Sequence, residues 1–270
     1  MGLILCDSLN PQHPYYIEEL DIHIYSIEEL SYIIYEHPLL VIEDFVSPGL
    51  FSFIKNELKL GSLGMQLEKM YSDKVSDEHI ILYILDYVDF YTGAEVSRYR
   101  ATLANYKKLR RAEFLKEKAD YMFRQRRFGK AIRYYEIISK SHFDRGINEK
   151  FLGKVYHNMG SAYANLFLYD KAYQAYRRAY RYLGDRNIIK KIYYLSLMDE
   201  VIEQKEKYQA DIRDSIGEEW DEEYEKEKET ARQCEKIAEI RGIISKDLLR
   251  RHKYITELIA QWKKEYRNML

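Results

Sequence analysis

The stretch YDKAYQAYRRAY (Tyr169–Tyr180) interleaves alanines, tyrosines and cations at helical spacing. Ala172, Tyr176 and Ala179 fall on one face of a helix, where small residues let a neighbouring helix approach and the ring fills the space between. Tyr173, Arg177, Arg178 and Tyr180 turn toward solvent or the next element. Asp170 is placed to cap the start. A purely buried helix has no use for so many cations, so the stretch reads as one layer of a helical scaffold.

The same phrase occurs earlier in the chain. LKEKADYMFRQRRFGKAIRYYEII (Leu115–Ile138) aligns with YHNMGSAYANLFLYDKAYQAYRRA (Tyr156–Ala179) when FGKA is set over YDKA. Ala119 then matches Gly160, Met122 matches Tyr163, Ala131 matches Ala172, Tyr135 matches Tyr176 and Ile138 matches Ala179. Small residues recur where two helices touch, with large ones around them. The offset is 41 residues, read from Ala131 and Ala172.

These positions resemble the tetratricopeptide repeat (TPR) family, whose pattern runs from a bulky residue through Leu-Gly, Tyr and Ala to an aromatic and Ala over about 34 residues. Tyr156, Met159, Gly160, Tyr163, Ala172, Tyr176 and Ala179 carry the closer match. Leu115, Ala119, Met122, Ala131, Tyr135 and Ile138 carry a looser one. The resemblance spans roughly residues 111–198, with a third helix over Asn187–Met198. The longer offset is assigned to an extended turn through SHFDRGINEK (141–150).

The resemblance implies a concave groove lined by the first helix of each pair. The family's groove positions fall on Glu113, Lys116, Asp120, Phe123 and Arg124, then Lys154, His157, Ser161 and Asn165, then Lys190 and Lys191. Some family members clamp a terminal carboxylate with Lys and Asn. Lys116 and Asn158 fit such positions, but Asp120 stands where that clamp has Asn, so a chaperone terminus is not the expected ligand.

Charge divides the chain. Residues 1–90 hold 4 Lys+Arg against 16 Asp+Glu, residues 91–198 hold 24 against 9, and residues 199–270 hold 15 against 19. Three regions follow: an acidic, mainly helical stretch over 1–90, basic TPR-like repeats over 91–198, and long helices over 199–270. Opposite charges on adjacent segments predict that the acidic region folds back on the basic helices. All four prolines lie by Pro48, after which the chain reads as helices joined by short turns. The expected class is therefore all-α: TPR-like antiparallel helical repeats, a small helical N-terminal region and a C-terminal helical hairpin.

In the acidic region Ser26 with Glu29 has the spacing of a capping box, and Ser47-Pro48 that of a capped helix start. SDEHIILYILDYVDFY (76–91) reads as a buried helix, and GLILC (2–6) and IHIYS (22–26) as short strands. The order of SIEELSYIIY and SPGLFSFIKNEL suggests a helix-turn-helix. However, the connection exceeds the usual 3–4 residues, and the acidic surroundings oppose phosphate binding. In the C-terminal region one apolar stripe runs Ile202, Tyr208, Ile212, Ile216, Trp220, Tyr224, Ala231, Cys234, Ala238. A second runs Ile244, Leu248, Ile255, Leu258, Trp262, Tyr266, Met269. A hairpin turning near Gly242 would bring acidic EEWDEEYEKEKE against basic KDLLRRHK.

Nothing in the sequence carries catalysis. The seven histidines show no metal-ligand spacing, Gly61–Gly64 lacks the Lys-Ser/Thr of a phosphate loop, and no nucleophile elbow or kinase signature occurs. Cys6 and Cys234 fit no metal or redox pair. No cofactor, no metal and no enzymatic activity are expected. The opening MGLILC has neither the basic residues of a signal peptide nor Ser or Thr at position 6 for myristoylation, and no apolar run is long enough to span a bilayer. The reading is a cytoplasmic, non-enzymatic interaction scaffold or adaptor whose basic groove holds an acidic peptide or protein segment. The alternative is a nucleic-acid-binding or TPR-type regulatory protein, in which FRQRRFGK (Phe123–Lys130) alternates cations with aromatics as single-strand binders do.

Overall fold

The computed structural model describes residues 11–140, 147–199, 218–245 and 248–270. The chain divides into two compact units, residues 1–110 and 111–270. Apart from one small hairpin, the described elements are helices: fourteen α-helices packed largely in sequential order, consistent with an antiparallel arrangement.

In the first unit an antiparallel hairpin pairs β1 (Tyr15–Ile17) with β2 (Ile22–Ile24). The turn places Asp21 in the left-handed region, where Asp is tolerated. IHIYS thus supplies a strand, and GLILC lies outside the described residues. Six helices follow: α1 (Ile27–Glu36), α2 (Pro38–Val41), α3 (Pro48–Ser52), α4 (Gly61–Ser72), α5 (Asp77–Val88) and α6 (Gly93–Lys107). Helix α3 runs directly into a π-helical turn, Phe53–Glu57.

The caps are local chemistry. Ser26 Oγ accepts the Glu29 N–H at 3.1 Å, while Glu29 Oε2 reaches back to the Tyr25 N–H. Ser47 Oγ accepts from Leu50 N, with Pro48 in the first turn. Thr92 and Glu95 form a full capping box at α6. Leu30, Ile34, Leu50, Ile54, Leu67, Ile80 and Leu85 fill the core. The stretch 76–91 supplies α5, buried through Ile80, Ile81, Leu82, Ile84 and Leu85. The short α2 occupies the connection between α1 and α3, which is why no tight helix-turn-helix forms there. Tyr35 stacks between Tyr91, at 3.9 Å, and Tyr99, at 5.6 Å. Burial pushes the Tyr91 phenol up to about 12.

The second unit opens with two helix pairs. The first is α7 (Arg111–Arg124) with α8 (Phe128–Lys140), the second α9 (Glu149–Asn165) with α10 (Tyr169–Leu183), followed by α11 (Arg186–Met198). The two pairs repeat one another in detail. Arg126 and Phe167, 41 positions apart, both take φ of 59° in the turn. Arg127 N–H donates to Met122 O at 2.9 Å, and Leu168 N–H to Tyr163 O at 3.0 Å. Ala131 and Ala172 then donate to Arg127 O and Leu168 O. A left-handed Arg and a left-handed Phe are each costly by about 1 kcal/mol or more, so the surrounding packing imposes the turn.

The small residues sit at closest approach. Ala119, Ala131, Ala172 and Ala179 are fully buried. A Cβ added at Gly160 would come within 2.7 Å of the Tyr176 ring, and one at Gly153 would strike Leu183. Tyr135 and Tyr176 are buried between the helices, and Tyr173 is buried as well. Helix α10 begins at Tyr169, with Leu168 at the cap position and no side-chain cap bond. Asp170 is therefore not the cap. It lies inside the first turn, where a carboxylate meets the positive end of the helix dipole.

The C-terminal part differs from a simple hairpin. Three helices are described: α12 (Glu218–Arg232), α13 (Glu235–Ile244) and α14 (Leu248–Met269). The stripe through Trp220 and Ala238 is broken, because the Gln233 and Cys234 amides close the last turn of α12 onto Thr230 O and Ala231 O and Cys234 is extended. Gly242 lies within α13, and the chain turns after Ile244. Helices α13 and α14 pack together, with Lys236 3.0 Å from Glu265. The acidic α12 reaches α11: Lys190 Nζ bonds Glu223, the Tyr193 hydroxyl bonds Asp221, and Arg186 lies 3.9 Å from Glu219. Ile202, Tyr208, Ile212 and Ile216 of the predicted stripe lie outside the described residues.

Candidate functional site

The polar residues of α7, α9 and α11 join into one hydrogen-bonded strip. Lys116 Nζ donates to Asp120 Oδ2 at 2.5 Å, one helical turn away. Asp120 Oδ1 accepts from the Tyr135 hydroxyl at 2.5 Å and from Asn158 Nδ2 at 2.9 Å. Asn158 Oδ1 faces His157 Nδ1 at 3.1 Å, and His157 Nε2 faces Lys191 Nζ at 2.8 Å. These partners fix the tautomer: the Lys191 ammonium donates to Nε2, so Nδ1 carries the proton and donates to Asn158. Every donor from Lys191 to Asp120 points the same way.

Local sequence explains the strip. Lys116 and Asp120 are four apart on α7, and His157, Ser161 and Asn165 are each four apart on α9, so each set shares a helix face. Ser161 Oγ lies 3.0 Å from the Tyr176 hydroxyl, and Asn165 Nδ2 donates to Ser161 O. The Tyr135–Asp120 bond and the Tyr176–Ser161 bond both span 15 residues. They are one feature used in both pairs, once with a charged acceptor and once with a hydroxyl.

Burial sets the electrostatics. It pushes the His157 pKa down, helped by repulsion from Lys191, against the opposing bond to Asn158. Burial also lowers Lys191, against the attraction of Asp185. The Tyr135 phenol is raised, first by burial and then by its bond to Asp120.

The other groove candidates lie apart from the strip. Phe123 packs edge-on against Phe128 at 5.2 Å. Arg124 is exposed beside the Tyr121 ring, with its guanidinium 5.9 Å from the centroid. Glu113 is half-buried and Lys154 exposed. Lys190 is engaged by Glu223.

Beside the strip lies a cavity of about 460 Å³. Asn165 and Lys191 border it, with Phe167, Tyr169, Tyr194 and Met198 as apolar walls and Arg126 at its edge. Met269 of α14 also lines it. The sequence offered a signal for Tyr135 and Tyr176, since both occupy the same repeat position. Met269 closes the second apolar stripe of the sequence, but that it reaches this cavity is set by tertiary folding.

Among the described residues, no group of three His, Cys, Asp or Glu side chains is placed to hold a metal ion. No described helix is long and apolar enough to cross a membrane. No protein-family model matches the chain, no curated protein matches it, and no solved structure matches it.

Proposed function

We propose that residues 111–198 form a TPR-like, non-enzymatic interaction module that holds an acidic peptide or protein segment along the α7–α9–α11 face. The observation that carries this reading is the strip from Lys116 through Asp120, Asn158 and His157 to Lys191. It draws on the first helix of each successive pair, the helices that line the binding face in stacked-repeat proteins. Its rigid, mutually satisfied side chains present a fixed polar track. Exposed Arg124 and Lys154 add positive charge on α7 and α9, and the adjoining cavity offers apolar walls to a side chain of the bound segment.

The test places a photo-crosslinking side chain at Asn165 of the full chain and incubates it with extract of the native cell. Crosslinks to an acidic segment, lost at high salt and lost in Arg124→Glu/Lys154→Glu, are expected. Capture undiminished by the double substitution would defeat the groove reading. Crosslinks to nucleic acid in place of protein would favour the alternative use of the basic surface.

A further inference from the structure

We infer that Glu265–Leu270, the end of α14, is a resident ligand of the cavity beside the strip, and that an incoming partner displaces it by presenting the same chemistry. This inference rests on the reading of that face as a protein-binding surface and adds how access to it is controlled.

Four contacts carry it. Met269 lines the cavity together with Phe167, Tyr169, Tyr176 and Met198. Arg127 Nη1 donates to the Asn268 carbonyl at 2.8 Å. The Tyr266 hydroxyl donates to the Leu166 carbonyl at 3.4 Å. A Cβ at Gly129 would fall within 2.7 Å of the Leu270 carbonyl carbon and Cα, so the segment lies directly on the α8 backbone. Arg127 and Leu166 belong to the two equivalent turns, so one short segment bridges both helix pairs. Glu265, one turn before Met269, is bonded by Lys236 of α13 and by Gln261, each at 3.0 Å.

The rest of α14 is held lightly. Its apolar residues Ile255, Ile259 and Trp262 stay 37%, 43% and 39% exposed. Contact with the helix pairs is concentrated at Tyr266 and beyond. Lys236 of α13 also holds Glu265, and the tether keeps the segment at high local concentration. An untethered competitor needs more such contacts to win. The chemistry it must offer follows from the resident: a helical backbone carbonyl for Arg127 and an unbranched apolar side chain for the cavity. This adds an apolar anchor to the acidic partner, a requirement that net charge does not state.

Gly129→Ala tests the idea without altering the cavity. The added methyl collides with the backbone of Leu270, yet Ala is the better helix former. A purely local effect would therefore strengthen α8. Met269→Lys is the second variant, as it sets a further cation beside Arg126 and Lys191. The probe is a fluorescent peptide of residues 255–270, added in trans to each full-length chain. Hydrogen exchange in residues 262–270 should rise in both variants. The peptide should bind Met269→Lys at least about ten-fold more tightly than wild type, since the competing state is removed, and should bind Gly129→Ala no better, because the added methyl also meets the peptide's own Leu270. Arg127→Ala added to Met269→Lys should abolish that gain. Unchanged exchange, equal peptide binding by wild type and Met269→Lys, or tighter peptide binding by Gly129→Ala would overturn the inference. The two readings fail separately. A native partner mapped to the strip with equal peptide binding sinks only the resident ligand. Tighter peptide binding by Met269→Lys without any native partner on the strip sinks only the groove.

Discussion

At the scale of residues, the site depends on one histidine staying neutral. His157 has a pKa below the ordinary value of about 6.5. The unfolded chain therefore binds that proton more tightly than the folded one. Stability from this group is complete above pH about 6.5 and is lost as the pH falls through and below it. Protonation also removes the acceptor for Lys191 and sets two cations together. The melting temperature should fall as the pH drops below about 6.5, and the drop should shrink in His157→Gln, whose amide keeps an acceptor and takes no proton. An identical pH profile in the variant would show that His157 is not the titrating group. The paired tyrosines give a second expectation. Tyr135→Phe removes a bond to a carboxylate, and Tyr176→Phe removes one to a hydroxyl. Charge-assisted bonds are stronger, so Tyr135→Phe should cost about 1.5–3 kcal/mol and Tyr176→Phe about 1 kcal/mol in denaturant unfolding. The reverse order would contradict the assigned geometry.

At the scale of elements, small residues decide how closely helices approach. Gly160→Ala raises helix propensity by about 1 kcal/mol but drives a methyl into the Tyr176 ring. Overpacking of that kind costs about 1–3 kcal/mol, so net destabilisation is expected in thermal unfolding. A stabilised variant would mean that α9 and α10 are less tightly joined than described. The same residues show what sequence makes legible. Ala119, Gly160, Ala131 and Ala172 announced the two helix pairs because close packing tolerates few residue types. Lys116, His157 and Asn158 were reached through the repeat resemblance and not through periodicity, since His157 and Asn158 are adjacent and Lys116 lies on another helix. The caps at Ser26 and Ser47 were readable because each is closed within three residues. The break at Cys234 was not, since it lies in i→i+3 bonds that no side chain signals. The bond between Asn158 and Asp120 was hidden too, because its 38-residue span is set by how α7 lies on α9. Lys190 was assigned to the groove by register, yet Glu223 engages it from α12.

At the scale of the whole molecule, the division at Arg110/Arg111 falls in a short non-helical connection where Lys108 and Arg110 are exposed. Limited trypsin digestion should cut here early and yield fragments near residues 1–110 and 111–270. The charge partition predicts that the nicked fragments travel together in gel filtration at low ionic strength and part at high salt. Separation at every ionic strength would show that their attraction plays no part. Within the second unit, α12 has a consequence of a different kind. Stacked helix pairs expose at their last helix the face that one more pair would cover, and an open end of this sort lets copies add head to tail without closure. Here Trp220 is buried, with Glu219, Asp221 and Glu223 directed to α11, while Glu222, Glu225, Lys226 and Glu229 stand exposed. A second copy arriving at this end would meet a hydrated wall of fixed charges in place of an open helix face.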